Sequence, residues 1–133
     1  MEQQESALID LLNTLLEAEK AGAKTMALLI ETQPEDELLQ RVKDDESWSC
    51  QGLIRSIQRE GGKVGTATGD FAEKVMALPT YTERMNLLIK GQAWVVKRID
   101  KALELAMSQE TKDFLEEMKR KHVDNIHGVE ESL

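Results

Sequence analysis

Glu19, Glu46, Gln92 and His122 stand where helical spacing calls for apolar side chains. Two carboxylates and an imidazole brought to one level of a protein interior either hold a divalent cation or share protons. A buried carboxylate with no partner costs several kcal/mol, so such a set must neutralise itself. The local frames agree on direction. Glu19 has Leu15 and Leu16 one turn before it and Gly22 and Ala23 one turn after; Glu46 lies between Val42 and Cys50; Gln92 sits among Leu88, Ile89, Val95 and Val96; His122 sits between Met118 and Ile126. These are the three- and four-residue spacings that place side chains on one helix face. Ser49 and Asn125 extend the polar set by one turn beyond Glu46 and His122.

Four long helices are needed to carry these residues. The first is predicted from Ser6, as N-cap, to Thr32, with the seam Leu8, Leu12, Leu15, Glu19, Gly22, Met26, Leu29. The second opens at Pro34-Glu35-Asp36-Glu37, with acidic residues where the helix dipole favours them, and ends at Gly61-Gly62. Its seam is Leu39, Val42, Glu46, Ser49, Leu53, Ile57. The third starts near Thr80 or Thr82; Thr80-Tyr81-Thr82-Glu83 has the spacing of a capping box. Its seam is Met85, Leu88, Gln92, Val95, Ile99, Leu103. The fourth is capped by Ser108, with Thr111 as competitor, and reads Leu115, Met118, His122, Asn125, Val129.

Each polar residue falls near the middle of its helix, so all four meet at one level. Gly22, Gly52 and Gly91 lie beside the set. Glycine inside a helix costs about 1 kcal/mol relative to alanine, and three of them imply close helix approach or room for a ligand.

The connections set the topology. Short links make helices one and two, and helices three and four, antiparallel neighbours. Between them lies the segment 62–79: a Gly- and Thr-rich loop from Gly62 to Gly69, then a short helix from Asp70 to Leu78 capped by Asp70. Helices of about 24 residues are about 36 Å long, and this segment can cross that height. The expected fold is all-α, a four-helix bundle with one long crossover between helices two and three, formed as a single domain over residues 1–133.

Composition bounds the function. The chain has 133 residues, 41% hydrophobic but only 4% aromatic, so its core is built from aliphatic residues and Met. A net charge of −8 leaves no basic stripe for a nucleic acid. The longest apolar run, Met26 to Ile30, is too short to span a bilayer, so no membrane partner is expected. One cysteine, Cys50, excludes an internal disulfide framework, and the opening Met1-Glu2-Gln3-Gln4-Glu5 is unlike a secretory signal. A cytoplasmic location is the expectation.

The stretches Leu15-Leu-Glu-Ala-Glu-Lys-Ala-Gly22, Lys90-Gly-Gln-Ala-Trp-Val-Val96 and His122-Val-Asp-Asn-Ile126 resemble an uncharacterised bacterial group of the ferritin-like superfamily, which includes rubrerythrins and bacterioferritins. The resemblance spans nearly the whole chain. It implies a di-metal bundle in which two helices give one Glu each and two give Glu-x-x-His. Glu19 and Glu46 match that pattern. Ser49 stands at the His position after Glu46, Gln92 replaces the third-helix Glu, and His122-x-x-Asn125 replaces Glu-x-x-His, unless His122 is the shifted histidine.

Two carboxylates balance one divalent ion rather than two, so di-iron oxidase activity is not expected. One ion (iron, manganese or zinc) held by Glu19, Glu46 and His122 resembles a facial non-haem site and would act on oxygen or peroxide. A metal-free network, with His122 protonated and one proton shared by the two Glu, is equally neutral and is the favoured expectation. Gln92, Ser49 and Asn125 then complete a polar core network that serves specificity or a small ligand. A bundle with a three-histidine metal site is disfavoured, because the chain has two histidines.

The other candidates have plainer roles. His127 faces solvent, Cys50 is a packed thiol, and Lys119-Arg120-Lys121 is a solvated basic face. Met26, Met85, Met107 and Met118 fill the core. Trp48 and Trp94 lie on outer faces that favour a homodimer.

Overall fold

The computed structural model describes residues 2–133, with side chains from Glu5 onward; Met1 of the acidic opening run lies outside the described residues. Helix α1 (Glu2–Thr32) begins before the predicted cap, so Ser6 lies within it. Glu and Gln are good helix formers and acidic groups suit a helix start, so nothing before Ser6 interrupts the helix.

Helix α2 (Glu37–Arg59) is capped by Asp36, whose carboxylate accepts from the Leu38 and Leu39 amides at 3.0 and 3.1 Å. Pro34 therefore belongs to the connecting turn rather than to the helix. At the far end Gly61 adopts φ +83°, and the Gly62 amide reaches back 2.8 Å to the Ile57 carbonyl. This left-handed residue is the one that glycine supplies most easily at a helix end.

The crossover descends along α1. Asn13 accepts from the Gly65 amide and donates to the Lys63 carbonyl, while Lys24 pairs with Glu73 at 2.9 Å. Short helix α3 (Phe71–Met76) lies in this segment. Asp70 precedes it without giving a side-chain cap; its carboxylate pairs with Lys74 at 3.4 Å instead.

Helix α4 (Tyr81–Leu103) starts at Thr80 with both halves of the capping box in place. Its last buried residue is Ala102, not the predicted Leu103, which is only half-buried. Helix α5 (Gln109–Glu131) is capped by Ser108, and Thr111 reinforces that cap rather than competing with it. Glu60 accepts from both hydroxyls, at 2.8 Å from Ser108 and 2.6 Å from Thr111. Although desolvation opposes ionisation of Glu60, these hydroxyls hold its carboxyl below the ordinary value.

The structure is all-helical among the described residues. The four long helices pack in a ring, α1 against α2, α2 against α5, α5 against α4, and α4 against α1. The Tyr81 hydroxyl donates to Asp36 at 3.3 Å, which sets the starts of α2 and α4 at one end. Arg59 and Glu60 meet Thr111 and Ser108 at the other end. The crossover therefore joins two parallel helices and traverses the length of the structure.

Two apolar layers result. One contains Leu8, Leu12, Leu15, Leu53, Ile57, Val95, Ile99, Leu115 and Met118. The other contains Met26, Leu29, Leu39, Val42, Met85, Leu88 and Val129. Each large aliphatic side chain removed from water contributes about 1.5–3 kcal/mol. Between the layers the four long helices contribute Glu19, Glu46, Ser49, Gln92, His122 and Asn125, all buried. The residues on either side change layer at these positions, so the polar set is a slab through the middle of the core.

Candidate metal centre

His122 is oriented by its own helix. Its Nδ1 lies 2.8 Å from the Met118 carbonyl, and a carbonyl only accepts, so Nδ1 carries the proton. Nε2 is thereby aimed at the interior. It approaches Glu19 Oε1 to 2.6 Å, but the contact is not aligned as a hydrogen bond, and neither atom has another hydrogen-bond partner. At that distance the two atoms need a proton or a metal ion between or beside them.

Glu46 supplies the third corner. Its Oε1 accepts from Gln92 Nε2 at 2.5 Å, while its Oε2 is buried and unpartnered. Gly22 makes room for this carboxylate: a Cβ at position 22 would stand 2.9 Å from Glu46 Oε2. One donor atom each from Glu19, Glu46 and His122 lies within 4.8 Å of the other two. A tetrahedral ion with bonds of about 2.1 Å sets its donors about 3.4 Å apart, so closing on one ion requires Glu19 and His122 to part slightly and the widest pair to draw in, shifts on the order of an ångström.

The electrostatics follow from burial. Desolvation raises the Glu19 carboxyl from 4.5 to about 7, against the favourable pull of Glu46 and Ser49. Glu46 is pushed well above the usual carboxylate range, first by burial and then by the nearby Glu19 charge, while His122 and Gln92 pull the other way. Ser49 lies close enough to favour the Glu19 anion without completing a hydrogen bond. Gln92 Oε1 is also buried and unpartnered.

Asn125 is not joined to this group by its hydrogen bonds. Its Oδ1 accepts from Arg41 at 3.1 Å and its Nδ2 donates to Asp45 at 2.9 Å, so it belongs to a network between α2 and α5. Lys121 approaches Asp45 at 3.6 Å. Asp45 and Arg41 carry no sequence signal of this role, because each lies off the apolar seam and reaches a partner 80 or more residues away. Their polar heads satisfy Asn125 from the rim.

The remaining candidates sit outside the centre. His127 is exposed beside Glu130. Burial, then the charges of Glu19 and Glu46, pushes the half-buried Cys50 thiol up to about 12, so it stays protonated at neutral pH. Lys119 pairs with Asp100, and Arg120 with Glu117 and Asp124. Trp48 does not present an open face as expected: it is half-buried, its ring 5.0 Å from that of Phe114, with Lys121 over it at 4.9 Å. Trp94 is exposed, with Arg98 4.7 Å from the ring centre.

No helix of the described residues is long and apolar enough to cross a membrane. No curated protein matches the chain, and no solved structure does. A family model for a domain of unknown function, DUF6306, matches residues 6–131, and the chain belongs to that family.

Proposed function

We propose that this chain is a ferritin-like four-helix bundle whose mid-core slab holds one divalent transition-metal ion through Glu19, Glu46 and His122. The observation that carries this reading is the convergence of one donor atom each from buried Glu19, Glu46 and His122 within 4.8 Å of one another, with Glu19 Oε1, Glu46 Oε2 and His122 Nε2 each lacking a hydrogen-bond partner. The Nδ1 contact to Met118 adds support, since a backbone carbonyl on the far ring nitrogen is how ligating histidines are usually oriented. Two carboxylates neutralise one divalent ion and leave no charge for a second. Three protein donors leave coordination positions free, and in non-haem iron sites this donor set serves oxygen or peroxide chemistry. The ring of contacts and the crossover between parallel helices support the ferritin-like connectivity.

The raised carboxyls favour a second reading. With Glu19 raised to about 7 and Glu46 raised well above the usual carboxylate range, a proton can occupy the place of the ion, and the slab is then a metal-free network that fixes helix register. Elemental analysis separates the two. Chain purified without chelator, then offered iron(II), manganese or zinc and desalted, should retain one equivalent per chain, and His122→Ala should retain none. Retention of less than a tenth of an equivalent by the parent protein favours the proton network, and two equivalents overturn both readings.

A further inference from the structure

A cleft of about 500 Å³ opens between α1, the crossover and α4, within the range of about 300–1,000 Å³ typical of small-molecule sites. Its walls are apolar, formed among others by Ala18, Ala21, Phe71, Leu88, Trp94 and Val95. Glycines also line it. Gly22 presents no side chain on the α1 wall, and Gly91 on α4 seats the Phe71 ring, whose Cζ lies 2.8 Å from where a Cβ would be.

Two observations specify what such a cleft accepts. The charged groups lining it are Glu17, Asp70, Lys74 and Lys90, two acidic and two basic, and Asp70 is already paired with Lys74. The lining therefore selects neither a cation nor an anion. Gln92 also lines the cleft although it is 95% buried, being 5% exposed. Its Nε2 is committed to Glu46, while its Oε1 is an acceptor with no donor. A buried acceptor left unsatisfied costs about 1–3 kcal/mol, which a donor from a ligand would relieve.

We propose that this cleft is a binding site for an uncharged, largely apolar small molecule that ends in one hydrogen-bond donor, such as an aliphatic alcohol. The apolar body lies along α1 and α4 between Ala21 and Trp94, and the terminal O–H donates to Gln92 Oε1 after a small turn of that amide. The site does not depend on a metal ion, because every group invoked is present in the chain itself.

The test uses the full chain, treated with chelator, and three probes of equal length: 1-octanol, octanoate and octylammonium. Trp94 lines the cleft and Trp48 does not, so binding is read from the fluorescence of a Trp48→Phe variant and from backbone amide shifts. Saturable binding of 1-octanol is expected, with shifts confined to α1, α3 and α4, and with the two charged probes at least tenfold weaker. Gln92→Leu should weaken 1-octanol about fivefold or more. Ala18→Phe, which fills the cleft without touching the polar slab, should abolish binding even where the Gln92 variant fails to fold. Equal binding of the three probes, binding that survives Ala18→Phe, or no saturable binding would overturn the proposal.

Discussion

Replacing Gly22 with alanine separates the stability of the helix from the geometry of the centre. Gly22 lies mid-helix in α1, where glycine is about 1 kcal/mol less favourable than alanine. On propensity alone the variant should be more stable. The added Cβ would stand 2.9 Å from Glu46 Oε2 and 3.0 Å from both its Cδ and Oε1. The carboxylate is the far end of a flexible side chain, held through Oε1 by Gln92, so it can retreat by about half an ångström to ordinary contact distance if the Gln92 amide moves with it. That movement costs the metal-free protein little, and the net gain should lie between about 0 and 1 kcal/mol, a rise in Tm of up to about 5 °C. A metal centre is less forgiving, because ligand distances hold within about 0.2 Å. Gly22→Ala should therefore weaken zinc binding at least tenfold while leaving metal-free stability equal or higher. Denaturant unfolding of the chelated protein and a competitive zinc titration read the two quantities separately. Unchanged zinc affinity would refute the coupling between Gly22 and the Glu46 carboxylate. Loss of more than about 1 kcal/mol without metal would show that Glu46 has no room to move.

Other outcomes follow from the same structure. Glu19 has a folded-state value raised from 4.5 to about 7, so its stabilising proton is fully held below pH 4.5 and is lost as pH rises through about 7. The metal-free protein should lose stability on the order of 3 kcal/mol across that window, at about 1.4 kcal/mol per pH unit, and Glu19→Gln should flatten the decline in unfolding curves. Gly52→Ala places a Cβ 1.9 Å from Phe114 Cε1, so the ring must leave its place against Trp48; a loss of about 1–3 kcal/mol is expected by chemical denaturation. Thr80→Ala removes the capping box of α4 and should cost about 1 kcal/mol without changing zinc affinity.

Much of this arrangement is readable from local periodicity. Leu8 to Leu29 on α1 and Leu39 to Ile57 on α2 repeat at three and four residues, and the interruptions at Glu19 and Glu46 mark the slab because only inward positions lie on those seams. Thr80 with Glu83 is legible for the same reason, since a cap is a contact within four residues. What depends on distant partners is not. Asn125 shares the α5 seam with His122, yet its partners come from Arg41 and Asp45 on α2, and no spacing within α5 encodes them. Glu60 holds the start of α5 from 48 residues away. The glycines beside the slab signal close approach, but not what approaches: Glu46 at Gly22, Phe114 at Gly52 and Phe71 at Gly91. The cleft lies between α1, α4 and the crossover, so no single helix reveals it. Leu103 and Ala102 differ by one position at a helix end, where the seam's register drifts and the smaller residue turns inward.

The claim that Glu19, Glu46 and His122 enclose one ion meets its most direct test in crystals grown with zinc or manganese, by anomalous difference maps collected at the metal's absorption edge. A single peak about 2.0–2.3 Å from Glu19 Oε1, Glu46 Oε2 and His122 Nε2 is the predicted result. Featureless density at the centre of the slab, or a peak bound elsewhere on the chain, would contradict it.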